Sequence, residues 1–313
     1  MKKIYFIVGP TGAGKSDIAF ELAKRLGGEI VSADSMQVYK GMDIGTAKAS
    51  ARLRKKIPHH LIDIVFPASS FSAFRFRRLA LKALHKIRAK GKVPIVAGGS
   101  GLYVRALLEG LSPRPGTNPA FRKKLSQEAK AKGLGVLYQR LQGLDPKSAS
   151  NIKPADAKRI IRALEIIDAA SQSPDGIAGD AREPNVTRVG LRDLGFQPVV
   201  IGITKERAEL YADIEKRVEA MYRRGLVREV KKLRGERMSK TAREAIGYRE
   251  ILQALQSGVP EKQALIVAKE LIKRDTRRFA KRQLTWFKRE QGIQWFVRSS
   301  GETPETLCDR ILG

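Results

Sequence analysis

Residues 9–16, GPTGAGKS, have the residue types and spacing of a phosphate-binding loop. They fit the pattern G-x-x-x-x-G-K-[ST] at every fixed position. Backbone N–H groups of such a glycine-rich turn can approach phosphate oxygens, while Lys15 adds a positive charge and the Ser16 hydroxyl can ligate Mg²⁺. A plain turn before a helix is the alternative, but the complete motif favours a site for a phosphate or diphosphate.

The flanking residues predict the elements that would position this loop. Residues 3–8, KIYFIV, have the pattern of a short buried strand. Residues 17–26 carry apolar side chains at helical spacing, including Ile18 and Leu22. A strand, a glycine loop and a helix in this order are the structural context that the motif requires.

A second segment with chemical potential follows the next predicted strand, residues 29–32. Asp34 comes directly after it, where residues of an open parallel sheet face the ligand crevice. Asp34 could therefore hold Mg²⁺ through water or act as a general base. Gln37 has an amide that could hydrogen-bond the edge of an adenine. A helix cap or turn is the alternative for Asp34, but the nearby phosphate loop favours function.

Residues 61–65 could form another strand, and a strand predicted at residues 93–97 is followed by glycines and Ser100. Ordinary phosphate-loop NTPases carry an Asp at such a strand end to help hold Mg²⁺, whereas this strand is followed by Gly98, Gly99, Ser100 and Gly101. Close approach of a ligand and a simple tight turn explain the glycines equally well. His59 and His60 form a pair that no further His or Cys completes into a metal site, which favours local packing.

Composition points to a polyanionic partner. The chain has 313 residues, 61 Lys and Arg, 32 Asp and Glu, and a formal net charge of +29. This charge favours nucleic acid first and an anionic membrane surface second. The one cysteine excludes an internal disulfide and a cysteine zinc site. No apolar run approaches the length of a membrane span, so we expect a cytoplasmic protein without membrane association.

The order of patterns predicts an α/β fold with a helical insertion. Strand and helix patterns alternate over residues 1–113, which is typical of a parallel sheet with helices on both faces. Residues 120–170 are almost wholly helical, and residues 198–203 return to a strand pattern. We therefore predict a P-loop NTPase-like core from residues 1–113 and 198–313, and an insertion domain from residues 114–197. Polar, breaker-rich segments at 112–119 and 171–184 would connect them.

After residue 204 the sequence predicts mainly helices. The last long one carries Leu265, Ala268, Ile272, Phe279 and Trp286 on one face. Its remaining surface is basic, which is typical either of a solvated face or of one that follows phosphates. Arg207 and Arg217 are candidates for a diphosphate contact, although each could equally be a surface charge.

The ordered segments resemble the tRNA dimethylallyltransferase (tRNA isopentenyltransferase) family over nearly the whole chain. They are GPTGAGKS, DSMQVYKGMDIGTAK, HHLID, GGSGLY, DP at 145–146, RIIRALE at 159–165, AIGY at 245–248 and KRQLTWF at 281–287. The resemblance implies transfer of a dimethylallyl group from dimethylallyl diphosphate to N6 of the adenosine on the 3′ side of the tRNA anticodon. The target base must be splayed out to be reached. It further implies Mg²⁺ as cofactor, the anticodon stem-loop as partner and a monomer of bacterial type.

The resemblance also implies roles for individual residues. Asp34 matches the general base, and Lys15 and Ser100 match two further catalytic positions. The implied diphosphate site comprises Gly9, Pro10, Thr11, Gly12, Ala13, Gly14, Lys15, Ser16, Arg207 and Arg217, with Ser16 on the metal. The implied tRNA contacts are Asp34, Ser35, Met36, Gln37, Ser100, Arg122, Lys158, Arg159, Ile160, Ile161, Arg162, Arg243, Ile246, Gly247, Tyr248, Lys281 and Arg282. HHLID becomes a structural segment.

Several positions depart from the family pattern. Asp213 stands where an arginine is common, so Arg207 or Arg217 would have to contact the diphosphate. Ser100 replaces a threonine but retains the hydroxyl, and Ala49 replaces a proline. Three alternatives remain open: a kinase of a small metabolite or nucleoside, an enzyme that prenylates free adenine nucleotides, and a non-catalytic RNA-binding module.

Overall fold

The described residues 2–111, 116–171 and 189–313 of this computed structural model contain one sheet of six parallel strands. The strands are β1 (Lys2–Val8), β2 (Glu29–Ser32), β3 (His59–His60), β4 (Pro94–Ala97), β5 (Phe196–Thr204) and β6 (Ile293–Val297). Their order is β3-β2-β4-β1-β5-β6. The central strand β1 pairs with β4 on one side and β5 on the other, so Tyr5 lies between Ile95 and Val199.

The chain divides into two units, Met1–Gly110 with Gly190–Gly313, and Leu111–Val189. The first contains the sheet and α1 (Lys15–Arg25), α2 (Ala51–Lys56), α3 (Ala73–Ala89), α4 (Gly101–Leu108), α9 (Arg207–Arg223), α10 (Leu226–Arg234), α11 (Lys240–Arg243), α12 (Tyr248–Ala254), α13 (Glu261–Phe287) and α14 (Pro304–Leu312). The second contains α5 (Pro119–Lys132), α6 (Leu134–Leu144), α7 (Pro146–Ser150) and α8 (Ala157–Ser171). The predicted insertion was residues 114–197, whereas Phe196 and Gln197 belong to β5.

Helices cover both faces of the sheet. Neighbouring side chains of β1 point to opposite faces, and each packs against helices there. Phe6 packs in a core cluster with Leu84 of α3. Ile7, its neighbour, packs on the other face with Leu22 of α1 and Leu307 of α14. The parallel sheet and its helices confirm the predicted fold class.

The helical unit has its own apolar core. Leu125, Leu137, Leu141, Ile160 and Leu164 are buried together there. Asn118 begins α5 by accepting a hydrogen bond from the backbone N–H of Phe121, as is typical of a helix N-cap. Most of the predicted loop at 171–184 and part of the predicted boundary at 112–119 lie outside the described residues.

One strand prediction was wrong, and one strand was not predicted. Residues 61–65 were predicted as a strand, but β3 consists of His59–His60. Leu61 and Asp63 have positive φ angles of 64° and 58°, which interrupt extended backbone. The strand β6 was not predicted at all, although every residue of its sequence IQWFV except Gln294 is β-branched or aromatic.

Candidate active site

Three loops meet at the carboxyl edge of the sheet. The phosphate loop follows β1, Asp34 follows β2, and Gly98 follows β4, which lies between those two strands. Together with α9 and α13 they enclose a cleft. Its lining includes Thr11, Lys15, Ser16, Ala19, Ile30, Ser32, Asp34, Gln37, Ala47, His59, Ile62, Gly98, Gly99, Arg217, Phe279 and Gln283.

The phosphate loop has the tight backbone that its glycines allow. Gly9 has φ of 135°, and a Cβ there would lie 2.1 Å from the backbone oxygen of Ile203 in β5. Gly14 has φ of 83° and directly precedes α1. The Lys15 ammonium donates a hydrogen bond to the backbone oxygen of Pro10 at 2.7 Å. The loop is therefore folded around its own lysine, with the N-terminus of α1 at the cleft.

Two cations of this cleft have unusual electrostatics. Burial and the nearby Arg217 lower the pKa of Lys15 to about 7, although Asp34 opposes the change. Burial also lowers the pKa of Arg217, against the attraction of Asp34 and Asp17. Among the described residues, neither forms an ion pair with a carboxylate within 4.0 Å. Two desolvated basic side chains in one cleft, together with the N-terminus of α1, would favour binding of an anion.

Hydrogen bonds connect the loops that carry Asp34 and Ser100. Asp34 Oδ1 accepts from the N–H of Met36 at 2.8 Å and from that of Gln37 at 3.3 Å. Ser100 Oγ accepts from the N–H of Ser35 at 3.0 Å. The Ser100 N–H donates to the Ala33 oxygen at 3.2 Å. The Asp34 carboxylate and the Ser100 hydroxyl thus lie on loops that are hydrogen-bonded to each other. Both groups were predicted to face the target nucleotide.

The Gln37 side chain already has protein partners for its amide. Ser32 Oγ donates to Gln37 Oε1 at 2.9 Å, and Gln37 Nε2 donates to the Thr46 oxygen at 3.2 Å. These bonds connect the segment after β2 to the following loop. The predicted contact between Gln37 and an adenine edge stays a prediction, since it would have to replace or share these bonds.

Of the two arginines predicted to contact diphosphate, the structure brings one into the cleft. Arg217 lines it, whereas Arg207 lies over the ring of Tyr211, 5.3 Å from its centroid. Asp213, at the position where an arginine is common, pairs with Lys205 at 2.7 Å. The structure thus favours Arg217 for the role and disfavours Arg207.

Some residues predicted to contact tRNA in the sheet-containing unit are buried. The Tyr248 side chain is fully buried, and its hydroxyl donates to the Glu229 carboxylate at 2.5 Å. A Cβ on Gly45 would lie 2.4 Å from the Tyr248 ring, so this tyrosine packs tightly in the core. Burial therefore disfavours a tRNA contact by the side chain of Tyr248, and Gly247 beside it is also buried, so these two contacts stay predictions.

Other residues of that prediction do reach the surface. Arg243, Lys281 and Arg282 are exposed, and Ile246 is half-buried. Arg282 lies over the ring of Phe279, 5.7 Å from its centroid.

In the helical unit, two predicted arginines share one acid. The side chains of Arg122 and Arg162 both pair with Glu165, which is buried; Arg122 Nη2 lies 2.7 Å from Glu165 Oε2. Ile160 is fully buried in the apolar core, which disfavours its predicted contact with tRNA. Lys158 and Arg159 are exposed, and Ile161 is half-buried.

Two cleft residues of α13 were not assigned to the site from the sequence. Phe279 was placed on an apolar core face, but it lines the cleft and is 36% exposed. Gln283 is buried among the loops of the cleft. The sequence feature that could have indicated its role is a polar residue at helical spacing between Ala280 and Phe287, on the buried side of α13. Trp286, also predicted on that face, is only half-buried, whereas Phe287 is fully buried.

Comparison with known proteins identifies the family. The model of the IPP transferase family matches residues 37–290. The tRNA dimethylallyltransferase of Acetivibrio thermocellus is 43% identical, over 99% of this chain and 96% of that protein. The chain belongs to the IPP transferase family. A second relative, tRNA dimethylallyltransferase 2 of Geotalea daltonii, is 45% identical over 99% of this chain and 91% of that protein.

Solved structures of IPP transferases share this fold. The tRNA isopentenylpyrophosphate transferase of Bacillus halodurans is 38% identical, with a TM-score of 0.68, and the match covers 100% of this chain and 96% of that one. A eukaryotic dimethylallyltransferase acting on tRNA is 25% identical with a TM-score of 0.70, covering 96% and 75% of the two chains. Membership of this family makes the chain a transferase with a P-loop NTPase-like core, and the kinase alternative receives no support.

Proposed function

We propose that this IPP transferase moves the dimethylallyl group of dimethylallyl diphosphate to the exocyclic N6 of the adenosine on the 3′ side of the tRNA anticodon. The proposal rests on one observation: basic side chains and a carboxylate line the same cleft. Lys15 and Arg217 lie there with no carboxylate of the described residues paired to them within 4.0 Å, and Asp34 lies in the same cleft. The cations suit the diphosphate of the donor, and the carboxylate suits the amine of the acceptor.

These two roles, cations on the diphosphate and a carboxylate at the amine, fit the bond changes of prenyl transfer. The N6 nitrogen forms a bond to the allylic carbon C1, and the bond between C1 and the diphosphate oxygen breaks. The electron pair of that bond leaves with the diphosphate, where Lys15, Arg217 and the loop N–H groups stabilise the developing charge. Asp34 accepts the proton that N6 loses. The products are N6-dimethylallyladenosine in the tRNA, protonated Asp34 and diphosphate.

The donor set of the cleft fits Mg²⁺ bound with substrate rather than in a protein cage. The described residues contain no group of three or more His, Cys, Asp or Glu that could hold a metal ion. Mg²⁺ commonly keeps several waters and takes few protein ligands beside substrate phosphates. The Ser16 hydroxyl at the cleft would be one such ligand. The metal would supply charge neutralisation on the diphosphate when bound.

The acceptor side needs a surface that holds RNA phosphates. Lys281, Arg282 and Arg243 in the sheet-containing unit are exposed, as are Lys158 and Arg159 in the helical unit. None of the helices in the described ranges is long and apolar enough to cross a membrane. We propose that these cations hold the anticodon stem-loop by phosphate contacts and that the protein acts in the cytoplasm as a monomer.

A transfer assay with two acceptors tests the proposal. Radiolabelled dimethylallyl diphosphate and Mg²⁺ are incubated with the protein and either unmodified tRNA or AMP. Label in tRNA alone supports the proposal. Label in AMP would favour the free-nucleotide enzyme, and label in neither, with folded protein, would overturn both. ADP release from ATP with a small acceptor would revive the kinase alternative.

A further inference from the structure

Gln283 of α13 connects two loops of the cleft through its side-chain amide. Its Oε1 accepts a hydrogen bond from the backbone N–H of Thr11 at 2.8 Å. Its Nε2 donates to the backbone oxygen of Gly99 at 2.9 Å. The residue is 7% exposed, so an unpaired amide there would be costly. Both ends of this buried amide are satisfied, each by a different catalytic loop.

The fit between Gln283 and Gly99 is close. A Cβ on Gly99 would lie 2.1 Å from Gln283 Nε2, so any other residue would displace the amide. The glycine in this strand-end turn therefore makes room for a protein side chain. At Gly99 the backbone approaches a buried protein side chain, which explains the glycine at this position.

The same bonds continue to the acceptor side of the cleft. Ser100 follows Gly99, and its Oγ accepts from the N–H of Ser35, which is next to Asp34. Hydrogen bonds thus run from the phosphate loop through Gln283 to the segment that carries the carboxylate. Gln283 comes from α13, so it connects the phosphate loop and the residues 98–100 segment without belonging to either.

We propose that Gln283 is a positioning residue: it fixes the phosphate loop relative to the residues 98–100 segment and so sets the distance between the leaving diphosphate and the acceptor nitrogen. This inference rests on the proposed function. Displacement of the two substrates by about 1 Å can cost on the order of 100-fold in rate. Loss of Gln283 should therefore lower kcat more than it weakens the binding of either substrate.

The first variant is Gln283→Met, which keeps the length of the side chain and removes both hydrogen bonds. We expect kcat to fall about 10- to 100-fold, with the KM for dimethylallyl diphosphate and for tRNA within about threefold of the parent. Gln263→Met is the matched control, because Gln263 is exposed on the same helix. It should leave kcat unchanged.

A second variant, Gln283→Glu, gives a signature that a packing role would not give. An ionised Glu still accepts from Thr11 but cannot donate to Gly99, whereas a protonated Glu can do both. Burial and the carboxylate of Asp34 in the same cleft favour the protonated form, whereas Lys15 and Arg217 oppose it. The ratio of variant kcat to parent kcat should therefore rise as pH falls from 8 to 6. This variant also keeps the test decisive if Gln283→Met does not fold.

The outcomes separate this inference from the proposed function. Parent protein that transfers no label to tRNA overturns both. Active parent with a Gln283→Met variant within twofold of its kcat overturns the positioning role alone. A higher KM with unchanged kcat, or a pH-independent ratio for Gln283→Glu, would likewise contradict it.

Discussion

Arg217 lies close enough to Lys15 in the cleft to lower the pKa of its ammonium group. Burial acts in the same direction, and the pKa of Lys15 falls to about 7 as a result. The pair is electrostatically unfavourable without an anion. A bound diphosphate would oppose both effects, because it supplies negative charge beside the two basic groups.

Lys15 should take up a proton when the cleft binds inorganic pyrophosphate. Its pKa is about 7 in the free protein and rises when the anion binds, so at pH 8 the group changes from mostly neutral to charged. Affinity should fall as pH rises above 7. Calorimetry in buffers of different ionisation enthalpy measures the uptake. Lys15→Arg stays charged throughout and should show correspondingly less uptake, and equal uptake in the two proteins would refute this assignment.

Arg217 should contribute more to donor binding than Arg207. A hydrogen bond to a charged group is worth about 1.5–3 kcal/mol, so Arg217→Met should weaken pyrophosphate binding about 10- to 100-fold. Arg207→Met is the matched control, since Arg207 lies over Tyr211 outside the cleft. Equal losses in both variants would contradict the assignment of Arg217 to the diphosphate site. Titration calorimetry measures both affinities.

Binding of tRNA should weaken steeply with salt. Lys281 and Arg282 are exposed, so serine at either position should reduce the slope of log affinity against log salt by about one. Arg277 is a useful control, because its Nη1 lies 2.6 Å from Glu215 Oε1 in an ion pair. Filter binding over a range of salt concentrations gives the slopes. Slopes that are identical in parent and variants would exclude phosphate contacts by Lys281 and Arg282.

Glu29 should stabilise the fold in a pH-dependent way. Its side chain is fully buried, and burial alone would raise its pKa, but His60, Lys90 and Lys92 outweigh burial and lower the pKa to about 2. This contribution is fully present above pH 4.5 and declines as pH falls toward 2. Glu29→Gln should cost about 1–3 kcal/mol at pH 7.

Urea unfolding of the parent and the Glu29→Gln variant checks this at two pH values. The difference in free energy of unfolding should be smaller at pH 3.5 than at pH 7. A difference that stays constant or grows at the lower pH would show that the ion pairs of Glu29 do not stabilise the protein in this way.

Local sequence patterns predicted the parts of the site that the chain builds locally. The phosphate loop, β2 and the position of Asp34 after it all follow from residue types within a few positions. Gln283 could not be predicted in this way, because its partners Thr11 and Gly99 are 272 and 184 residues away. Their approach depends on the packing of α13 in the folded unit.

Burial was the second property that local patterns did not predict. Tyr248 and Ile160 belong to motifs of the family and were predicted to contact tRNA, yet each lies in an apolar core. A motif contains buried residues that support a surface as well as exposed residues that belong to it. The two kinds are distinguished by tertiary contacts such as the bond from Tyr248 to Glu229.

The central claim is that Asp34 removes a proton from N6 of one tRNA adenosine during prenyl transfer. The most direct measurement is nucleoside analysis by mass spectrometry after single-turnover reaction of an anticodon stem-loop RNA with the parent and with Asp34→Asn. The variant retains Oδ1 as acceptor for Met36 and Gln37, so the loop should keep its shape. We expect N6-dimethylallyladenosine with the parent and a rate 100- to 10,000-fold lower, about the range for a lost general base, with Asp34→Asn at unchanged RNA affinity. Equal rates in the two proteins, or a product modified at any other atom, would contradict the claim.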